Sequence, residues 1–121
     1  MQNFDDILKL ANEARTRIRE VSPKEAQTLV AAGAALIDVR DEKEFRAAHI
    51  PGAALVSRES LEARIPDIVP DKSTPIVCYC TIGHRSAIAA DILQKLGYLN
   101  VTSLEGGLKA YLAVSSERKI A

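Results

Sequence analysis

The chain has 121 residues, 47% apolar and 26% charged, enough for one compact domain with a hydrophobic core and too few for two ordinary ones. Sixteen basic and sixteen acidic side chains leave a formal charge of zero, which argues against a nucleic-acid partner or an anionic membrane surface. No stretch approaches the ~18 apolar residues of a membrane span.

The opening segment, MQNFDDILKLANEARTRIRE, is broken by charges throughout, so it is not expected to act as a secretory signal. The expected compartment is the cytoplasm, where two cysteines are reactive or buried thiols and not a structural disulfide. Phe4, Ile7, Leu8, Ala11, Ala14, Ile18 and Val21 recur at helical spacing, which predicts one amphipathic helix over 3–20. It is read as a packing helix, with docking of a partner or of a second copy as the alternative. Ser22-Pro23-Lys24-Glu25 supplies an N-cap, a proline at N1 and a glutamate at N3, opening a helix to about Ala32 that Gly33 ends.

Ala35–Val39 is a short apolar run, the form of a strand buried on both faces. Asp41 followed by Glu44 opens a helical turn to about Ala48. Ile50-Pro51-Gly52 is a turn, Ala54-Leu55-Val56 a second strand, and Leu61–Ile65 a brief helix expected to close at Pro66. Pro75–Tyr79 is the clearest strand, and Arg85–Leu96 the clearest helix, with Gly97 at its end. Asn100–Leu104 is a last strand, Gly106-Gly107 a turn, and Leu108–Val114 a final helix. Strands alternate with helices, so the expected class is α/β with a mainly parallel central sheet and helices on both faces.

Cys80 stands one residue past the strand 75–79, where ligands bind in open α/β sheets. The segment after it is short, contains Gly83 and runs directly into a helix. Backbone N–H groups in such a turn form an anion-binding nest, reinforced by the positive end of the helix. A sulfur in that nest is favoured in its charged, nucleophilic form. Arg85 adds a cation, and the Ser86 hydroxyl is placed to donate to the sulfur or to cap the helix. The alternative is that Cys80 is a small apolar filler in an ordinary connection.

IDVRDEKEFRAAHIPGA (37–53), PIVCYCTIGHRS (75–86) and SLEGGLKAY (103–111) resemble, in order and spacing, the sequential motifs of the rhodanese-like sulfurtransferase domain. The resemblance covers about residues 21–112. It implies a three-layer domain over 21–115, preceded by the helix 1–20 and followed by a tail, 116–121. It implies a sulfurtransferase that moves a sulfane sulfur from thiosulfate or a related donor to cyanide, a thiol or a protein, through a persulfide on Cys80. Residues Thr81, Ile82, Gly83, His84, Arg85 and Ser86 would form the loop around that sulfur, with Arg85 shaping it or binding an anionic donor. No cofactor is called for. Partners implied are the small-molecule donor and acceptor, with thioredoxin or another thiol protein as a further acceptor.

Cys78, two positions earlier and inside the strand, is read as a buried inert thiol, with a resolving role as the alternative. Cys78, Cys80, His49 and His84 lack the spacing of a zinc site. Asp38, Arg40 and Glu44 match the family's D-V-R-x-x-x-E pattern and are read as structural, Asp38 anchoring backbone and Arg40 pairing with Glu44 at i, i+4. His49 is read as a hydrogen-bonded structural residue, since an ionised thiol needs no general base. Arg58, after the second strand, is a candidate substrate contact. Tyr111 stands where the family usually has tryptophan and is expected to fill the same packing site.

Two other functions remain open on the sequence. A phosphatase or arsenate reductase of the dual-specificity type would show H-C-x5-R, whereas this chain has Tyr79 before the cysteine and C-x4-R; the shorter loop suits a sulfur atom better than a tetrahedral oxyanion. A sulfur-carrier or regulatory module would hand its sulfur to a protein partner docked on the N-terminal helix.

Overall fold

The computed structural model describes residues 3–120, with side chains described as far as Ser115. Six helices and five strands follow in the order α1 (Phe4–Arg15), β1 (Arg19–Val21), α2 (Pro23–Ala31), β2 (Ala35–Asp38), α3 (Glu42–Ala47), β3 (Ala54–Leu55), α4 (Leu61–Ile68), β4 (Ile76–Tyr79), α5 (His84–Lys95), β5 (Val101–Leu104) and α6 (Gly107–Ile120), with a single 3-10 turn at Arg58–Ser60 before α4. The sheet order is β1-β5-β4-β2-β3, and every pairing is parallel. This is the α/β architecture that the alternating pattern predicts.

Alternation along β4 divides the interior. Ile76 and Cys78, with Cys80 just beyond, face a core shared with Leu61 and Ile65 of α4 and Ala89, Ala90 and Leu93 of α5. Val77 and Tyr79 face the opposite way, onto Ala26 of α2 and Leu108 of α6, with Tyr111 partly buried against the same cluster. The central strands are buried on both faces, which is why β2 and β4 read as continuous apolar runs.

Three expectations differ from the structure. The first helix ends at Arg15, and Arg19–Val21 becomes an edge strand whose Val21 registers with Leu104. Ile18 and Val21 continued the helical spacing by coincidence, and pairing with β5 decides their conformation. Pro66 lies inside α4, which runs on to Ile68; near a helix end the missing N–H costs one bond, and Val69 N–H still reaches Ile65 O at 2.8 Å. The last helix runs to Ile120, so residues expected to be a tail extend α6; Ala121 lies outside the described residues.

The N-terminal helix packs on α5. Ala11 and Ala14 are buried where the two helices meet. Arg17 clamps Asp91 of α5 through two bonds of 3.1 and 2.8 Å, and Gln94 Nε2 donates to Arg17 O at 2.9 Å. The packing function expected of this helix is therefore the one observed within the chain, and it brings the first turns of α1 over the loop that follows β4.

Candidate active site

Gly83 opens α5 as its N-cap with φ 103°, and it has no side chain to cap the helix. The sulfur of Cys80 takes that place. Its Sγ accepts from Gly83 N at 3.1 Å and from Ser86 N, the third helical residue, at 3.3 Å. Ser86 Oγ is 3.4 Å from the sulfur and 2.9 Å from Ser103 Oγ. Both serines are fully buried. Ser86 is therefore not the N-cap; its amide and hydroxyl both turn to the sulfur. In the thiol form Cys80 donates to Ser86 Oγ, and in an anionic form that hydroxyl can donate instead while Ser103 stays bonded to it.

Helix α6 shapes the loop from behind. Leu108 N–H donates to Cys80 O at 2.8 Å, and Lys109 N–H to Thr81 O at 3.1 Å. Among the described residues no peptide bond is cis, so the amide N–H groups of Thr81 and Ile82 point away from α6. The first turn of one helix thus fixes the loop carbonyls, and the first turn of another supplies the N–H groups and the positive dipole end at the sulfur. Only glycine fits where the two meet. A Cβ on Gly107 (φ 62°) would lie 2.5 Å from both Cys80 O and Thr81 O.

Arg85 lines the cleft with Cys80 and feels its charge, but its hydrogen bonds go elsewhere. Its guanidinium forms a two-bond fork with Glu44 of α3, 2.9 Å in each arm, and Thr81 Oγ1 lies 3.2 Å from both partners. The expected Arg40–Glu44 pair does not form. Arg40 precedes the N-cap Asp41, so helical i, i+4 geometry does not apply to it. It folds back on Asp38 instead, with Nη2 2.8 Å from Oδ2, and also donates to Ala48 O at 2.6 Å. That pair is buried beneath the loop after β2 and sits over the Tyr79 ring, whose hydroxyl accepts from Ile50 N. Glu44 also serves the capping box of α3. The hydrogen bonds from Arg85, with its charge, hold the Glu44 carboxyl down from an ordinary 4.5 to about 2.

A depressed carboxyl contributes stability above its unfolded value, and that contribution is lost as pH falls toward the folded value. The melting-temperature gap between wild type and Glu44→Gln should therefore be full above pH 4.5 and close between 4.5 and about 2. Thermal scans of the two proteins across pH 2–7 check this; a gap that widens on acidification would reject the clamp.

The remaining candidates fall around this frame. His84 Nδ1 is 3.0 Å from Arg15 Nη2, which also donates to Gly83 O at 3.2 Å. Burial and the adjacent guanidinium push the His84 imidazole below its ordinary value. Thr81 and Ile82 line a cleft of about 360 Å³ over Cys80. Arg58 is outside it, in a neighbouring cleft of about 280 Å³ that shares Ile7 and Arg85 with the first. His49 stacks on Phe45 with ring centroids 3.8 Å apart, and its Nδ1 is 2.8 Å from Phe45 O. Cys78 is wholly buried with its Sγ 3.4 Å from both Ser86 O and Thr102 O, alternative acceptors for its one S–H proton, and burial pushes its thiol up. Both cysteines are free.

Phe4 and Ile7 of α1 line the Cys80 cleft, and neither was singled out for the site in the sequence. Ser103 and Gly107 were also missed: one appeared as a strand residue, the other as half of a turn. The apolar stripe of the first helix was visible, but not where that stripe would lie.

The arrangement presents a single sulfur to a cleft, held by amide donors that stabilise negative charge, while the His84 ring and the Glu44 carboxylate that line the same cleft are engaged by Arg15 and Arg85. A family model, the rhodanese-like domain, matches residues 22–114. A protein of Pseudomonas savastanoi named thiosulfate sulfurtransferase GlpE is 32% identical over 87% of this chain and 97% of its own length. The human single-domain sulfurtransferase superposes with a TM-score of 0.69 at 29% identity, covering 78% of this chain and 95% of that one. A Rhodopseudomonas palustris protein titled as of unknown function and a possible tyrosine phosphatase reaches 0.81 at 29% identity over 95% of both chains. With a family model matching residues 22–114 and a relative 32% identical over 97% of its own length, this chain belongs to the rhodanese-like domain family.

Proposed function

We propose that this protein is a thiosulfate sulfurtransferase in which Cys80 carries the sulfur. The observation that supports it most directly is the position of the Cys80 sulfur at the start of α5, where Gly83 and Ser86 amides donate to it. In the first half-reaction the Cys80 thiolate attacks the outer sulfur of thiosulfate. A new S–S bond forms, the S–S bond of the donor breaks, and sulfite leaves with the electron pair. The outer sulfur of the resulting persulfide extends about 2 Å beyond Sγ, out of the buried cradle and toward the cleft. In the second half-reaction an acceptor takes that sulfur and returns the thiolate.

Small-molecule donors and acceptors fit the cleft, and a thiol protein such as thioredoxin is a further acceptor. A cytoplasmic location is supported by the two free thiols. Among the described residues no helix is long and apolar enough to cross a membrane. The phosphatase suggested by one structural neighbour's title is disfavoured here because the Arg85 fork is spent on Glu44 and is not presented to a bound oxyanion.

Arg85→Ala separates anion binding from loop bracing. With Arg85 as a brace, melting temperature and sulfur transfer should fall together, by roughly 0.5–1.5 kcal/mol in stability for a half-exposed ion pair and its lost hydrogen bonds. Thiosulfate KM rising tenfold with unchanged melting temperature would return Arg85 to the donor site. The function itself is tested by intact mass after thiosulfate treatment: one labile sulfur should be gained and then released by cyanide.

A further inference from the structure

The Cys80 cleft has two chemical surfaces, one closed and one open. The closed surface is polar. Glu44 and Arg85 satisfy each other through two bonds of 2.9 Å, Thr81 Oγ1 lies between them, and His84 Nδ1 is taken by Arg15. The open surface is apolar. Phe4 is 58% exposed and Ile82 45% exposed, and both line the cleft together with Ile7. Phe4 is held there by an edge contact to the His84 ring, 5.9 Å between centroids. Phe4 and Ile7 precede the span of the family match, 22–114, so α1 contributes that part of the wall.

An acceptor carrying a charge would lose water in this cleft and meet a counter-charge that already has its partner. An acceptor carrying an apolar group beside its sulfur would bury that group against Phe4, Ile7 and Ile82. The more charged lining, with Arg58, Asp41 and Glu59, belongs to the neighbouring cleft.

We propose that the second half-reaction is selective for thiols bearing an apolar or aromatic group next to the sulfur, and that Phe4, Ile7 and Ile82 determine that selectivity. The proposal rests on the reading of Cys80 as the sulfur carrier. The step balances without an external oxidant. The acceptor R–SH and the Cys80 persulfide anion give R–S–SH and the Cys80 thiolate: the acceptor's proton passes to the outer sulfur, a bond forms between the acceptor sulfur and that outer sulfur, and the Cys80 Sγ–S bond breaks with its electrons left on Sγ.

The test loads the full chain with thiosulfate, removes the excess, and follows loss of the added sulfur by intact mass. The acceptors are 2-phenylethanethiol, 2-mercaptoethanol and 3-mercaptopropionate, each rate divided by the rate of the same thiol with a small-molecule disulfide to remove intrinsic reactivity. Wild type should prefer the phenyl thiol at least tenfold over the carboxylate, the scale that one apolar group in a hydrophobic pocket supplies. Phe4→Ala and Ile82→Ala should each reduce that ratio severalfold, and Phe4→Leu should restore much of it. Leu99→Ala, which truncates another exposed apolar side chain remote from the cleft, should leave the ratio unchanged. A corrected ratio near one in wild type, or a ratio unmoved by both alanine variants, overturns the proposal while sulfur loading stands. Failure of wild type to load sulfur at all overturns the sulfurtransferase reading and this inference with it.

Discussion

Cys80→Ser is expected to abolish sulfur loading, with no labile sulfur gained after thiosulfate exposure, while Cys78→Ser still gains one. The two thiols lie two positions apart with Tyr79 between them and face the same core, but their surroundings differ in kind. Cys80 Sγ accepts from two backbone amides at the start of α5 and borders the cleft. Cys78 Sγ faces two carbonyl oxygens, Ser86 O and Thr102 O, either of which can accept its one proton; their partial negative charge opposes a thiolate, and burial also raises its thiol. Removing the nucleophile removes the covalent intermediate, so transfer should fall by several orders of magnitude, limited by background reaction of thiosulfate with the acceptor. Labile sulfur on Cys80→Ser but not on Cys78→Ser would reverse the assignment.

Gly107→Ala should be the most damaging single-methyl addition at the site. The new Cβ would lie 2.5 Å from Cys80 O, Thr81 C and Thr81 O, all backbone atoms that cannot swing aside as a side-chain end could. The residue would also have to hold φ 62°, which costs a non-glycine residue about 1 kcal/mol or more. Relief requires α6 to back away from the loop, breaking the Leu108–Cys80 and Lys109–Thr81 backbone bonds. Strain and overpacking together predict roughly 2–5 kcal/mol of destabilisation, read as a lowered urea midpoint. Sulfur loading at a temperature where the variant is still folded should also drop, because the loop amides lose their aim. Gly33→Ala is the control: a Cβ there meets nothing within 4 Å although φ is 108°, so it carries the conformational cost without the clash. Equal losses in both variants would show that conformation alone, and not the α6 contact, sets the effect.

Much of this protein is legible in its sequence because the signals are local. The Ser22-Pro23-Lys24-Glu25 capping box, the apolar runs of β2 and β4, and the helix after Gly83 each depend on contacts within a few residues, and each lies within a residue or two of its expected place. The position of Cys80 follows from the same rules: a strand ends, a glycine turns the chain, and a helix N-terminus follows. Local rules failed where distant partners decide. Arg19–Val21 is a strand because β5 offers it an open edge, and Pro66 stays helical because Leu61 and Ile65 are packed in the core on the same segment.

The site divides along the same line. Sequence alone determined the fold class and the place of Cys80 in a loop at a helix start, since a nest of amides at a helix start is built from consecutive residues. Only the tertiary structure decided what the charges near that loop do. Glu44 and Arg85 are 41 positions apart, and no spacing rule could pair them or release Arg40 to Asp38. Only the tertiary structure, too, laid α1 across α5 so that Phe4 and Ile7 reach the Cys80 cleft, and set the bare backbone of Gly107 against the loop. These contacts join elements remote in sequence, and their energies arise only when the sheet has brought the ends of its strands together.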